Sequence, residues 1–287
     1  MFFTVLTATT VLTLSPITEL PAEFWGIVPE LKPVTLDTVK RKQDRAVVFV
    51  HGLLPRVLHP ERATKPGLHD WQMPDSTIVK ELKTDCDLYG LSYAQVFSTD
   101  AIAMSAVLRD GIEMLKSTGY KEIVLLGHSA GAIVCREFVE AFPKSGVTKV
   151  ISVCGPHLGS GWAQLPNFTL PKTQLNFINS LHPDVRAARL KEYPSVIEGR
   201  LEYCCLICKF RRTDHDTVVS LRSQWPDDLQ DNGVPAVVVP CTHFDVMISD
   251  VGVRAICEVV RNRVVRWKPE QLAAARLQLF GDAKPAK

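Results

Sequence analysis

The feature that most constrains this chain is a serine held between two glycines at a sharp turn. Residues 123–126 (Ile-Val-Leu-Leu) form an apolar run typical of a buried strand, and residues 127–131 (Gly-His-Ser-Ala-Gly) follow it directly. A helical pattern comes next, and its apolar positions are Ile133, Val134, Phe138 and Ala141. A strand–turn–helix unit of this kind strains the backbone of Ser129, lifts its hydroxyl clear of the sheet edge, and requires glycine where strand and helix pack closely.

The composition suits one large globular domain and argues against a nucleic-acid partner. The chain has 287 residues, of which 46% are hydrophobic and 22% are charged, which is enough to fill a sizeable core. Its 33 basic and 31 acidic residues leave a formal net charge of +2, without a dense run of Lys and Arg. We therefore expect no nucleic-acid partner, because that kind of binding needs a basic patch.

Short apolar runs alternate with helical patterns along the chain. The runs are residues 46–50, 88–93, 123–126, 150–154, 203–210 and 234–239. The helical patterns are residues 75–82, 99–116 and a late stretch around 253–264. Strands that are apolar throughout and separated by helices are typical of a parallel sheet covered on both faces. The prediction is an α/β fold with a mainly parallel central sheet and helices on both of its faces.

This alternation runs from residue 41 to residue 265 and defines the predicted domain. We assign residues 1–40 to an N-terminal extension and residues 266–287 to a C-terminal helix, which starts at Pro269, and a tail. Residues 160–201 interrupt the alternation as a lid-like insertion between later strands. Its apolar residues are Trp162, Leu165, Phe168, Leu170, Leu175, Phe177, Ile178 and Leu181. A segment this apolar is not disordered, and we interpret it as a mobile lid or a pocket wall, with an ordinary packed excursion as the alternative.

The N-terminal stretch lacks the pattern of a usual targeting segment. Residues 2–14 are apolar but are interrupted by five threonines, and the first basic residue is Lys32. A secretory signal normally starts with basic residues, and a helix that spans a bilayer needs about 20 apolar residues. We therefore expect no integral membrane segment. Free thiols at the cysteines favour a cytoplasmic location. A secreted or periplasmic location is the alternative if this stretch is a degenerate signal.

The eight cysteines lie mostly within apolar runs, where a free thiol behaves as a small buried hydrophobe. Cys205 and Cys208 have the two-residue gap of redox and zinc motifs, but neither a second pair nor a neighbouring ligand histidine accompanies them. We therefore expect reduced thiols and no metal site. A redox or metal protein built on this pair is a minor alternative.

A serine nucleophile needs two partners, and the chain offers both downstream of Ser129. A histidine must take the hydroxyl proton, and an acid must hold that histidine in the right tautomer. When the serine lies on a strand–turn–helix unit, the acid and the histidine come later in the chain, each on a loop that follows a later strand. Asp216, after the run 203–210, is our candidate acid, with Asp214 as the alternative. His243, after the next run, is our candidate base.

Two backbone N–H groups are placed to stabilise the negative oxygen of a tetrahedral intermediate. Ala130 supplies one from the start of the helix. Leu53 supplies the other from the loop after residues 46–50, where the flexible Gly52 precedes it. We also expect the substrate pocket to be bordered by His51, Gly52, His128, His157 and Leu158.

Several runs resemble the lipase and esterase branch of the α/β-hydrolases. They are residues 51–52 (His-Gly), 127–131, 155–160 (Gly-Pro-His-Leu-Gly-Ser), 216–219 (Asp-Thr-Val-Val) and 242–244 (Thr-His-Phe). The similarity extends over about residues 47–260, and the insertion agrees only in position. The resemblance implies an α/β-hydrolase fold and hydrolysis of carboxylic esters through an acyl-enzyme on Ser129, with no cofactor.

The expected substrate is a small-molecule ester with an apolar acyl group. Leu53, Leu54 and Val57, together with the insertion, indicate an apolar pocket, and they allow transient contact with a lipid surface. Acyl transfer, thioester cleavage and amide cleavage use the same three side chains and remain open. A non-catalytic binding protein that kept the fold is an alternative of a different class.

Overall fold

The computed structural model describes residues 20–28, 30–54, 59–166, 169–192, 201–211 and 213–281. These residues contain an eight-stranded sheet with the order β2-β1-β4-β3-β5-β6-β7-β8. The strands are β1 (Ala22–Gly26), β2 (Lys32–Pro33), β3 (Arg45–Val50), β4 (Asp87–Tyr93), β5 (Glu122–His128), β6 (Lys149–Val153), β7 (Glu202–Cys208) and β8 (Ala236–Val239). Strands β3 to β8 run parallel, and β1 and β2 add antiparallel pairs at one edge.

Helices cover both faces of this sheet. They are α1 (Thr77–Leu82), α2 (Thr99–Ala103), α3 (Ala106–Ser117), α4 (Ala130–Ala141), α5 (Leu175–Asn179), α6 (Pro183–Glu192), α7 (Leu221–Gln224), α8 (Asp227–Asp231), α9 (Asp250–Arg261) and α10 (Pro269–Phe280). In β3, Ala46, Val48 and Val50 join one core cluster, whereas Val47 and Phe49 join the other. Burial on both faces explains why the strands are apolar throughout. The predicted mainly parallel sheet with helices on both faces is confirmed.

The structure divides the long helix that the sequence predicted over residues 99–116. Helix α2 ends at Ala103, and α3 begins at Ala106. Ser105 lies between them with extended backbone angles, and its hydroxyl accepts a hydrogen bond from the Leu108 N–H at 3.3 Å. A serine that caps a new helix end in this way competes with continuation of the preceding helix. The apolar periodicity continued across the break and therefore did not indicate it.

The predicted N-terminal extension of residues 1–40 is wrong for its second half, which belongs to the domain. Strand β1 pairs with β4 over its whole length, from Ala22 opposite Tyr93 to Gly26 opposite Tyr89. Its Phe24 is buried in the core. The strand is short and contributes few buried side chains, so its sequence carries little apolar signal. Residues 1–19 lie outside the described residues.

The C-terminal helix also belongs to the domain. The sequence predicted its start at Pro269 correctly, and α10 ends at Phe280. Its Leu272 and Leu279 are buried in the same cluster as one face of the sheet, and the Phe280 ring lies 6.2 Å from that of Trp225. The domain therefore extends past the predicted boundary at residue 265. The predicted tail beyond residue 281 lies outside the described residues.

The insertion between β6 and β7 packs against the domain where the structure describes it. Phe177 of α5 is fully buried and stacks on Tyr93 of β4, with ring centroids 6.1 Å apart. Arg186 of α6 is buried and forms an ion pair with Glu137 of α4. Phe168 and residues 193–200 lie outside the described residues. The described part of the insertion is therefore a packed wall over one end of the sheet.

All eight cysteines are buried, as their apolar sequence context predicted, and their thiols are free in this structure. Cys205 and Cys208 belong to core clusters on opposite faces of the sheet, because side chains three residues apart on a strand point to opposite sides. This pair therefore cannot form a shared redox or metal site in the folded strand. Among the helices of the described residues, none has the length and apolar character needed to cross a bilayer.

Candidate active site

Ser129 lies on a strained turn between β5 and α4. Its backbone φ is 56° and its ψ is −128°, and its N–H donates to the Val153 carbonyl at 2.8 Å. A Cβ on Gly127 would lie 2.5 Å from the Gly131 carbonyl oxygen, and a Cβ on Gly131 would overlap the carbonyl oxygens of Val50 and His51. Both glycines are therefore required by close backbone approach, as the sequence analysis predicted.

Ser129, His243 and Asp216 form a continuous hydrogen-bonded chain. The His243 Nε2 lies 2.9 Å from the Ser129 Oγ, and the His243 Nδ1 lies 2.7 Å from the Asp216 Oδ2. All three side chains are buried. Because an ionised carboxylate only accepts hydrogen bonds, the proton of a neutral His243 resides on Nδ1, which leaves Nε2 to accept the serine proton. This arrangement can generate a serine nucleophile.

His243 and two backbone N–H groups together favour the ionised form of the Asp216 carboxylate. Its Oδ1 accepts hydrogen bonds from the N–H groups of Val218 and Val219 at 2.9 and 2.7 Å. Burial by itself would raise the pKa of Asp216, but the hydrogen bond and charge of His243 and these two N–H groups outweigh it and lower the pKa below its ordinary value. Thr217, with a φ of 95°, makes the tight turn that brings these N–H groups back to the carboxylate.

Asp214, the alternative acid, is exposed and does not contact His243. Its backbone carbonyl accepts a hydrogen bond from the Leu221 N–H at 2.7 Å, which anchors the loop with the Asp214 side chain outside the site. The His243 N–H donates to the Asp216 carbonyl at 2.8 Å and joins the two loops directly. The structure therefore brings Asp216, and not Asp214, to the histidine.

The sequence analysis assigned the Leu53 and Ala130 N–H groups to an oxyanion site, and the loop before Leu53 lies against Ser129. Gly52 packs directly on the serine, since a Cβ at this position would lie 2.5 Å from the Ser129 Cβ and 3.0 Å from its Oγ. Within the part of the chain that the structure describes, neither the Leu53 N–H nor the Ala130 N–H donates to a protein acceptor. Such N–H groups beside a nucleophile are able to bind a developing negative charge.

An apolar cavity of about 210 Å³ opens beside Ser129 and His243. Its other lining residues are Leu53, Pro156, Ser160, Trp162, Ala163, Leu165, Thr169, Leu170, Pro171, Ile178, Leu181, Val218, Val219 and Phe244. Residues 160–181 of the insertion supply most of this wall, in agreement with the pocket-wall interpretation. Val57, which the sequence analysis also placed at the pocket, lies outside the described residues.

The residues that the sequence analysis expected around the pocket do not line this cavity: His51, Gly52, His128, His157 and Leu158. His51 is fully buried, and its ring stacks on those of His69 and Tyr93 at 4.3 and 4.1 Å. His157 is also fully buried, and its Nε2 lies 2.8 Å from the Ser152 Oγ. Both rings are therefore packed in the core and do not form part of the cavity wall.

His128, next to Ser129, supports the loop of the candidate base. Its Nε2–H donates to the His243 backbone carbonyl at 2.9 Å. Burial, followed by the charge of His243, lowers the pKa of His128 to about 3. The His128 ring therefore stays neutral near neutral pH, and it keeps its hydrogen bond to the loop.

Cys154, Asp216 and His243 each present a potential metal-ligand atom, all within 4.8 Å of one another. Asp216 and His243 already hydrogen-bond to each other. Burial and the neighbouring Cys208 and Asp216 hold the pKa of the Cys154 thiol well above its ordinary value. Without a bound metal, the Cys154 thiol therefore keeps its proton, and Asp216 and His243 are already engaged with each other.

Sequence reasoning missed two glutamines that contact the loop of Leu53. Gln95 follows β4 and Gln174 lies in the insertion, and both are buried. Neither belongs to a recognisable motif, and a buried glutamine has no periodic signal of its own. Only the fold brings them next to residues 52–54.

The neutral, buried His128 predicts a specific pH dependence of stability. The unfolded chain takes up a proton at this histidine near pH 6.5, whereas the folded chain takes it up only near pH 3. The unfolded state therefore binds more protons between these values, and the free energy of unfolding falls as the pH is lowered through this range. His128→Gln removes the contribution of this histidine to that fall, which is at most about 1.4 kcal/mol per pH unit.

Urea unfolding of wild type and His128→Gln between about pH 7.5 and 4.5 checks this expectation. We expect the variant to lose stability less steeply than wild type as the pH falls. At the upper end of the range, His128 is neutral in both the folded and the unfolded chain. The difference in free energy of unfolding between wild type and variant there measures the packing cost of the substitution alone. Parallel pH curves for the two proteins would contradict the assignment.

Comparison with solved structures supports the fold. The chain is similar to the mature form of the lipase BlEst2 from Bacillus licheniformis, with 13% identity, a TM-score of 0.61 and coverage of 83% of this chain and 97% of that one. It is also similar to the metagenomic carboxyl esterase MGS0156, with 17% identity, a TM-score of 0.52 and coverage of 78% and 72%. Phospholipase PlaB from Legionella pneumophila matches with 16% identity, a TM-score of 0.57 and coverage of 83% and 62%. These similarities confirm the predicted α/β-hydrolase fold.

Comparison with curated proteins found no match. Comparison with protein families found one, to the model described as palmitoyl protein thioesterase, over residues 46–202. The matched region starts in β3, includes the Ser129 turn and ends at the first residue of β7. Since this region is more than half of the 287 residues, the chain belongs to the palmitoyl protein thioesterase family.

Proposed function

We propose that this protein hydrolyses esters or thioesters that carry an apolar acyl group, through an acyl-enzyme on Ser129. Its family is one of thioesterase-like and lipase-like hydrolases. The observation that carries the proposal is the buried hydrogen-bonded chain of Ser129, His243 and Asp216 beside an apolar cavity. A binding protein that had lost its chemistry would have no need to keep a reactive serine, a histidine and an ionised acid in contact.

In the proposed acylation step, the Ser129 Oγ attacks the acyl carbonyl carbon as His243 Nε2 takes the hydroxyl proton. The Asp216 carboxylate accepts the Nδ1–H bond throughout and stabilises the imidazolium that forms. The negative oxygen of the tetrahedral intermediate accepts hydrogen bonds from the backbone N–H groups of Leu53 and Ala130. As the intermediate collapses, the alcohol or thiol leaves with the proton from His243.

In the proposed deacylation step, a water molecule takes the place of the leaving group. His243 accepts a proton from this water, and the resulting hydroxide attacks the acyl carbon. The same two N–H groups stabilise the second tetrahedral intermediate. Its collapse returns the proton to the Ser129 Oγ and releases the carboxylic acid. If another nucleophile replaced water here, the protein would act as an acyltransferase.

Thioesters and oxygen esters both fit this mechanism, because the cavity contacts the acyl group and the two substrates share that part. The name of the family, palmitoyl protein thioesterase, supports a thioester and a long apolar acyl chain. The nearly apolar lining of the cavity supports the same acyl class, since burial of methylene groups supplies its binding energy. Charged acyl groups would lose their hydration there without gaining a partner.

The rim of the cavity supports delivery of the acyl chain from a lipid surface. Trp162, Leu165 and Phe244 line the cavity and are also 48%, 47% and 63% exposed. Exposed apolar residues grouped around an apolar opening are typical of a surface that contacts lipid or another apolar partner. An acyl chain could pass from a bilayer into the cavity along these side chains without full contact with water.

The first test follows acyl transfer to Ser129. We expect wild type to cleave p-nitrophenyl esters and N-acetylcysteamine thioesters, with kcat/KM rising from acetyl to palmitoyl substrates. Ser129→Ala should lower kcat by at least about 10⁴-fold on both series, because it removes the hydroxyl that His243 contacts. A fluorophosphonate probe should label wild type at Ser129 and leave the variant unlabelled. Full activity of Ser129→Ala, or a strict preference for charged acyl groups, would overturn the proposal.

The second test separates the two candidate acids. Asp216→Asn should lower kcat by about 10³–10⁴-fold, because an amide at this position cannot stabilise the imidazolium and favours the wrong tautomer of His243. Asp214→Asn is the matched control, with the same change of charge two residues away, and should keep kcat within about 2-fold. Equal losses in both variants would contradict the assignment of Asp216.

The third test concerns the acyl cavity. Ala163 is buried in its wall, so Ala163→Phe fills part of the space that a long acyl chain would occupy. We expect kcat/KM for palmitoyl substrates to fall by at least about 10-fold, while that for acetyl substrates changes little, because only the long chain reaches this wall. Equal losses on both substrates would indicate a general disturbance and would contradict the proposed path of the chain.

A further inference from the structure

Gln95 holds the peptide units on both sides of Leu53. Its side-chain Nε2–H donates to the Gly52 carbonyl at 3.1 Å, and its Oε1 accepts the Leu54 N–H at 3.0 Å. The Gln95 side chain is buried directly after β4, so it pairs with this loop much as a neighbouring strand would. The His51 Nδ1 lies 2.9 Å from the same Gly52 oxygen and supports its position.

Gln174 completes the contact from the insertion. Its Nε2 donates to the Gln95 Oε1 at 2.8 Å and to the Leu54 carbonyl at 3.0 Å. The Gln174 side chain is fully buried at the end of a short 3₁₀ helix, Lys172–Gln174. The 3₁₀ helix directly follows Leu170 and Pro171, which line the acyl cavity. One side chain therefore links the cavity wall to the loop of Leu53.

The direction of the Leu53 N–H follows from the position of the Gly52 carbonyl. A trans peptide unit is planar, and its C=O and N–H point in opposite directions. Because Gln95 holds the Gly52 oxygen on one side of the loop, the Leu53 N–H must point to the other side. Gly52 packs on Ser129, so the peptide unit that carries this N–H lies beside the serine. Without the glutamine contacts, rotation of this peptide unit would turn the N–H away.

We propose that Gln95 and Gln174, which we name the amide clamp, are positioning residues for the oxyanion site. The amide clamp fixes the Leu53 N–H for the tetrahedral intermediate and connects it, through Gln174, to the wall that holds the acyl chain. The proposal rests on the proposed function, since it assigns how one oxyanion donor is held. Neither glutamine lines the cavity, so both act through the backbone of residues 52–54.

The test compares Gln95→Met and Gln174→Met, which keep side-chain length and remove the hydrogen bonds. Loss of one oxyanion donor costs about 10²–10³-fold in kcat, so partial misplacement of the Leu53 N–H should cost about 10–100-fold. We expect KM to change by less than about 3-fold, because neither glutamine lines the acyl cavity. The double variant should lose little more than either single one, because the two side chains act as a unit.

Gln72→Met is the matched control. Gln72 is also a fully buried glutamine that bridges two backbone groups, since its Nε2 donates to the Phe49 carbonyl at 3.1 Å and its Oε1 accepts the His69 N–H at 2.8 Å. Gln72→Met should lower the free energy of unfolding about as much as the clamp variants do, because two buried backbone groups lose their hydrogen-bond partners. We expect its kcat to stay within about 2-fold of wild type, since the Leu53 N–H is unaffected.

The outcomes separate the amide clamp from the proposed function. If wild type is active through Ser129 and the clamp variants lose no more kcat than Gln72→Met, the amide clamp is wrong and the function stands. If wild type neither turns over acyl substrates nor reacts with the fluorophosphonate probe, the proposed function fails first. If the Met variants do not fold, the same comparison uses Gln174→Asn, which is too short to reach both acceptors and should lose kcat in the same way.

Discussion

The site depends on a close approach of three backbone segments that leaves no room for side chains. Gly52 packs on Ser129, and Gly131 packs on the carbonyl groups at the end of β3. A Cβ at either position would overlap its neighbours, so glycine is required by contact rather than by flexibility alone. This contact sets the distance between the nucleophile and the loop of Leu53. The strained backbone of Ser129 is tolerated because β5, β6 and α4 enclose it.

Around this contact, each loop that carries a reactive group is held by buried hydrogen bonds. The N–H groups of Val218 and Val219 hold Asp216, and the ring of His128 holds the backbone of His243. Gln95 and Gln174 hold the loop of Leu53 in the same way. Polar groups that are buried and fully paired are stiff, because each lost bond would leave an unpaired group in a low-dielectric interior. The geometry is therefore set before any substrate arrives.

Much of the fold and part of the site could be predicted from the sequence, for local reasons. The strands of the parallel sheet can be recognised in the sequence because they are buried on both faces and are therefore apolar throughout. Strand β1 does not, because few of its side chains are buried. The sequence also ordered Ser129, Asp216 and His243 correctly for side chains that meet at one sheet edge. It misplaced His51 and His157 at the pocket, because a histidine in a loop gives no local signal that its ring is packed in the core.

The sequence by itself determined the strand–turn–helix at Ser129, since the glycines and the apolar run act over a few residues. It also determined which loops carry an acid and a base, because parallel strands end at a common edge. Only the tertiary structure decided that Asp216 rather than Asp214 meets His243, and that Gln95 and Gln174 hold the loop of Leu53. These contacts join residues that are 27 to 120 positions apart in the chain, and contacts at such separations produce no local sequence pattern.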